Sequence, residues 1–311
     1  MNELILQHDV VTVAGELLLS KGARLDEETL GDLARRRGVA PCPSRLFADL
    51  VEPRKDLRGF LAAPPYNTIF ADLGETEEII TLMGQVELLQ PVIDALDYFH
   101  AHDFHTYRHC LMVFALSTLL AKHLYPDDSR SLLGALAGPS HDLGKACVPL
   151  EILLKSTPLT DNEAGILRNH ALAGYVLMVY YTGDAENLPA KVARDHHERH
   201  DGSGYPRGIS AFDEMVEIVI LSDIYDALIS PRPYRPISYD NRSALEELTR
   251  MAAKGQIGWL ALKALVAFNR STRPNFLNCD VSLDRRGQAP PNNVYGQRVG
   301  GEGDQGKPTG G

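Results

Sequence analysis

Ten of the 11 histidines in this 311-residue chain fall between His100 and His200. Uniform scatter would put roughly four there. Imidazole is the commonest metal ligand and a common general base, so this stretch is where chemistry is to be sought. His109 is in register with Val113, Leu116 and Leu120 and points inward on a helical stripe. The segment HDLGK sets His141 beside Asp142 at a helix end, and His170 shares a face with Leu167, Ala173 and Leu177. His196 and His197 follow Val192 and Ala193 at the end of a short helix, and Asp223 extends the stripe of Val216, Val219 and Ile220.

Taken singly, an inward histidine reads as a hydrogen-bonded core residue. Five imidazoles and two carboxylates together do not, because burying them without a cation leaves many polar groups needing partners. Seven donors exceed a single catalytic zinc, which takes three protein ligands as a rule. They suit two ions, with Asp142 able to offer one oxygen to each at the spacing of about 3.5–4 Å that two-metal hydrolysis requires. Imidazole mixed with carboxylate favours iron, manganese or zinc, and softness alone does not choose among them.

The elements that must hold these residues are helices. From about residue 75 the apolar period is three to four over 77–100, 105–124, 131–143, 161–181, 189–197, 213–229, 241–253 and 257–269. Thr160 with Glu163 forms a capping box, Pro189 suits a first helical position and Asp240 can cap the helix that follows. Ahead of this all-α domain, assigned to 70–275, residues 1–58 read as a small α+β module. It has a hairpin turning at Ala14-Gly15 and a helix starting from Asp26 that stops at Gly38. Pro41, Pro43, Pro53, Pro64 and Pro65 mark 40–66 as a boundary or linker. Residues 276–311 are expected to form a disordered tail, because 279–311 hold eight Gly and three Pro with few large apolar residues.

The composition, 44% hydrophobic and 23% charged with a net charge of −10, is that of a soluble globular protein. An acidic chain with no long Lys/Arg stripe is a poor ligand for duplex nucleic acid. No run approaches the 18 or so apolar residues of a membrane span, and the start lacks the basic region of a signal peptide, so a cytoplasmic address is expected. Cys42, Cys110, Cys147 and Cys279 are too few and too scattered for a disulfide framework.

HDLGK, then HHERHDGSGYP over 196–206 and LSDIYDALISPRPYR over 221–235, closely resembles the HD-GYP family of metal-dependent phosphodiesterases acting on cyclic di-GMP. The likeness covers about 100–270 and includes HTYRHCLMV as the opening helix. It implies an all-α HD-domain bundle in which His109, His141, Asp142, His170, His196, His197 and Asp223 hold two divalent ions, iron or manganese foremost and zinc also, with Asp142 as the bridge. His105 stands where relatives with a third ion carry a Glu, one turn before His109, and could serve such an ion as neutral imidazole. His200 replaces the usual Trp before DGSGYP. His8, His100, His102 and His123 match no motif and read as surface residues.

The implied reaction is hydrolysis of cyclic di-GMP to linear pGpG, and in some members to GMP. Two cations make a water nucleophilic for in-line attack on phosphorus. Asp142 and Lys145 are the expected catalytic residues, with Lys145 a cation near a nonbridging oxygen or the leaving group. Arg232, Arg235 and Tyr205 are the expected substrate contacts, the arginines on a Pro-restricted loop. Two other readings fit the same residues. One is a cyclic-dinucleotide receptor that signals to a partner protein or within a homodimer; the other is an HD-type di-iron oxygenase.

Overall fold

The structure is a computed structural model that describes residues 3–36, 43–125, 137–231, 237–288 and 290. The N-terminal module has the expected hairpin, β1 (Val10–Val11) against β2 (Leu17–Leu19), antiparallel, with Gly15 in the left-handed region its turn requires. Helix α1 (Glu27–Arg35) begins on Asp26, whose carboxylate accepts from the Thr29 amide. Gly38, the expected helix stop, lies outside the described residues.

Between module and main domain, the prolines mark 40–66 as a boundary or linker. That segment holds β3 (Pro43–Ser44) and the helices α2 (Leu46–Asp49), α3 (Val51–Ala62) and α4, which runs Tyr66–Ile69. Pro53 sits in the first turn of α3, where a helix tolerates a missing N–H, and Leu57 and Leu61 carry the helix into the core. This helix runs through position 58, where the module was expected to end.

The main domain follows as α5 (Leu73–Gln85), β4 (Leu88–Leu89), α6 (Gln90–His102) and α7 (Phe104–Leu124). The single periodic stretch 77–100 is thus two helices, interrupted where β4 pairs with β3 and restarted at Pro91. Then come α8 (Leu150–Leu153), α9 (Asp161–Arg168), α10 (His170–Thr182), α11 (Leu188–Asp195), α12 (Glu214–Ile229), α13 (Asn241–Ala253) and α14 (Trp259–Phe268). The stretch 161–181 is also split in two, at Asn169. Much of the helix expected over 131–143 lies outside the described residues, and its visible end is a 3-10 turn, Gly138–Ser140, followed by another, Leu143–Cys147.

Helix α7 is the axis of the bundle, buried continuously from His109 to Ala121. The module docks on the same body: Asn169, capping α10, accepts from the Gln7 amide at 2.8 Å and donates to the His8 carbonyl at 3.4 Å. At the other end, Phe276, Cys279 and Val281 pack on the core, and Glu246 accepts from the Arg286 and Gly287 amides. Residues 291–311 of the expected tail lie outside the described residues. Among the described residues, no helix is long and apolar enough to cross a membrane.

One close approach fixes the HD segment. A Cβ on Gly144 would sit 2.0 Å from the His170 carbonyl oxygen and 2.4 Å from the Gly174 amide, so only glycine lets Leu143–Cys147 lie on α10. Gly144→Ala is expected to destabilise the protein by about 3 kcal/mol or more, because backbone rather than a flexible side chain would have to move. Thermal unfolding of the variant measures it.

Candidate metal centre

All seven expected ligands come together. His109 projects from the buried face of α7, His141 and Asp142 sit between the two 3-10 turns, and His170 is the first residue of α10. His196 and His197 leave the end of α11, and Asp223 lies mid-way along α12. Their donor atoms make two groups, His109 with His141 and Asp142, and His170 with His196 and His197. Asp142 faces both. Its Oδ2 is 3.5 Å from His109 Nε2 and 3.3 Å from His141 Nε2, while its Oδ1 is 3.5 Å from His170 Nε2 and 3.9 Å from His196 Nε2. Asp223 Oδ1 joins the first group at 3.0 Å from His109 Nε2.

The tautomers follow from what the other ring nitrogens touch. His141 Nδ1 lies 2.8 Å from the Gly138 carbonyl, His170 Nδ1 2.5 Å from that of Leu167, and His196 Nδ1 3.0 Å from that of Ala193. His109 Nδ1 lies 2.6 Å from Asp226 Oδ2. Each of these acceptors accepts a hydrogen bond from a protonated Nδ1, which leaves Nε2 of the neutral ring with a lone pair. Lone pair then faces lone pair: His109 and His141 Nε2 are 3.3 Å apart, and His170 Nε2 is 3.1 Å from that of His196; His197 Nε2 lies 3.0 Å from His170 Nε2. Acceptors converging on carboxylate oxygens in a buried space are unfavourable unless cations sit among them, so the donor set fits divalent metal.

Electrostatics agrees with that reading. Burial pushes the imidazolium form of His170 down to about 4 and that of His196 to about 3, and His197 also falls well below the ordinary range. These rings are neutral near pH 7, the form in which imidazole can bind a metal. Burial would raise Asp142, but Lys145, His141 and His170 outweigh it and hold the carboxyl well below its usual range. His141 is the exception in the metal-free chain: burial lowers its pKa, but Asp142 and Asp223 outweigh that and raise it, and a cation at Nε2 would displace the proton they favour.

The GYP loop is built against these residues. Tyr205 stacks on His197, rings 4.6 Å apart and 24° from parallel, with the Arg168 guanidinium 5.3 Å from the tyrosine ring centre. A Cβ on Gly204 would meet the His197 carbonyl oxygen and the Arg199 amide at 2.5 Å, so the loop closes here only on glycine. Glu198, which the motif reading passed over, accepts from the amides of Arg207, Gly208 and Ile209. Asp195 binds the guanidinium groups of both Arg194 and Arg207 in paired contacts, which anchors the chain immediately before His196. His200 stacks on Phe212 at 4.4 Å and its Nδ1 lies 3.0 Å from the Ser210 carbonyl.

Lys145 lies 2.6 Å from Asp142 Oδ2, on the His109 side of that carboxylate. His105 is exposed and belongs to neither donor group. His100 and His102 are exposed, whereas His8 is half-buried and His123 pairs with Glu75 at 2.6 Å. Arg232 and Arg235 lie outside the described residues. Asp226, absent from the expected site, could have been found from its spacing, since SDIYDAL places it three residues after Asp223 on one helical face.

A family model described as HD domain matches residues 93–258, more than half of the chain. The chain belongs to the HD-domain family, with the HDLGK and DGSGYP motifs of its HD-GYP members. This HD-GYP chain is 32% identical over 169 residues to the cyclic di-GMP phosphodiesterase response regulator RpfG of Xanthomonas campestris pv. campestris, covering 54% of this chain and 43% of that protein. It is 36% identical over 150 residues to a cyclic di-GMP phosphodiesterase of Thermotoga maritima, covering 48% and 39%. It is 33% identical over 174 residues to 3'3'-cGAMP-specific phosphodiesterase 1 of Vibrio cholerae, covering 55% and 38%. The HD-GYP chain spans less than half the length of these relatives.

The depressed imidazoles set a pH dependence. The unfolded chain binds protons at His170, His196 and His197 near pH 6.5 and the folded chain does not, so stability is full above that value and falls with pH toward about 4. His141 opposes this, one ring against three. Metal-free protein is expected to melt at progressively lower temperature from pH 7 to pH 5, and manganese at pH 7 is expected to raise the melting temperature. Calorimetry across that range checks both.

Proposed function

We propose that this chain is a cyclic-dinucleotide phosphodiesterase that hydrolyses cyclic di-GMP to linear pGpG at a centre holding two divalent ions, iron or manganese. The observation that carries the reading is Asp142, with one oxygen toward His109 and His141 and the other toward His170 and His196. His109, His141 and Asp223 would hold one ion, His170, His196 and His197 the other, and Asp142 would bridge them. Bound there, divalent ions supply Lewis acidity and lower the pKa of water.

The reaction adds water across one phosphodiester: a P–O bond to the ribose 3′ oxygen breaks, the phosphate stays on the 5′ side, and the 3′ oxygen leaves with a proton. The chain's own part is positioning and charge. Lys145 holds an ammonium beside Asp142, where it can neutralise a nonbridging phosphate oxygen. Tyr205 keeps the plane of His197 by stacking on it. Arg232 and Arg235 are assigned to the substrate phosphates from their place in SPRPYR alone. Relatives named for cyclic di-GMP and for 3'3'-cGAMP support a cyclic dinucleotide, and the preference for two guanines is the finer part of the proposal.

Protein purified anaerobically and loaded with iron or manganese is expected to convert cyclic di-GMP to pGpG, read by chromatography, and to lose that activity with a chelator. Tight nucleotide binding without turnover in the loaded protein would overturn the enzyme reading in favour of a receptor. Lys145→Ala is expected to lower kcat by about a hundredfold while both ions remain bound.

A further inference from the structure

Asp226 is a fully buried carboxylate whose Oδ2 accepts a hydrogen bond from His109 Nδ1 at 2.6 Å. Its Oδ1 is held by the hydroxyl of Tyr66 and by Ser230 Oγ at 3.0 Å, with Arg108 Nη1 at 3.5 Å. Tyr66 begins α4 and lies 27 residues before the start of the HD-domain match at residue 93. Its ring is completely buried, edge-on to Tyr225 at 6.4 Å, with the Arg108 guanidinium 5.4 Å from its centre. The far end of α4 is also fixed: the Ile69 carbonyl accepts from Arg273, which pairs with Glu75 at 2.7 Å.

From this geometry we propose that Tyr66 is a positioning residue of the metal centre, acting through Asp226 on His109, and that the segment ahead of the HD domain is therefore part of that centre. The reasoning rests on the metal-site assignment of His109 and not on the identity of the substrate. A carboxylate that accepts from a ligating imidazole fixes the ring and raises its basicity. It can do so only if its own second oxygen is satisfied, because an ionised carboxylate in a dry space with a free oxygen shifts or takes up a proton. Tyr66 supplies a neutral O–H donor that secures the charge without cancelling it. The other histidines with resolved Nδ1 contacts use backbone carbonyls, so the ion held through His109 is the one this relay governs.

Tyr66→Phe keeps the buried ring and removes only the donor. In the full chain, manganese binding followed by equilibrium dialysis and electron paramagnetic resonance is expected to show one of two ions weakened about tenfold, with the other unchanged. Asp226→Asn is expected to weaken the same ion by at least as much, and the double variant to add little to it. Two ions bound to Tyr66→Phe with unaltered affinity, whatever the change in melting temperature, would reduce Tyr66 to a packing residue and overturn the proposal. Failure of the wild-type chain to bind manganese at all would instead defeat the metal-site assignment beneath it. If Asp226→Asn does not fold, Ser230→Ala takes its place, since it also removes a donor to Oδ1 and is expected to weaken the same ion.

Discussion

Placing imidazole lone pairs and two carboxylates in one buried space is unfavourable unless positive charge sits among them, and the architecture of this protein is organised around that constraint. Asp142 is the centre of it. The carboxylate is buried, faces a donor group on each side, and has Lys145 as a close cationic partner. Because their Nδ1 contacts commit the tautomers of His109, His141, His170 and His196, the Nε2 atoms of those four rings are left able to bind metal and unable to bond one another.

The helices serve that arrangement through their ends as much as through their faces. His170 opens α10, His196 closes α11, and the HD pair lies between two 3-10 turns, so backbone carbonyls near a helix terminus are free to orient rings. His109 differs. It lies in the second turn of the long helix α7, where the carbonyls are engaged, and a side-chain carboxylate from α12 does the same work. That difference is why Asp226, and behind it Tyr66, enters the centre at all.

Much of the site was legible in the primary structure because its chemistry is local. The dipeptides His141-Asp142 and His196-His197, and the inward register of His109, His170 and Asp223, are properties of short segments. The periodicity of the bundle was legible too, although it ran α5 into α6 and α9 into α10, since an apolar period carries across a short break without changing phase. The prolines of 40–66 left two readings open, boundary or linker, and could not choose between them, because proline suits a helix start as well as a connecting segment and α3 begins there.

What the sequence determined by itself was the set of donors, the helical class of the domain that carries them and the motifs that mark its family. Tertiary structure alone decided how those donors face one another. No spacing rule places Tyr66 on Asp226 across 160 residues, Asn169 on the backbone of the module, or the two oxygens of Asp142 toward different groups. Such contacts depend on which helix faces pack together and how closely, as at Gly144, where the absence of a single Cβ sets the distance between the HD segment and α10. The identity of the donor residues is a one-dimensional property of this chain, whereas their orientation is fixed only by packing.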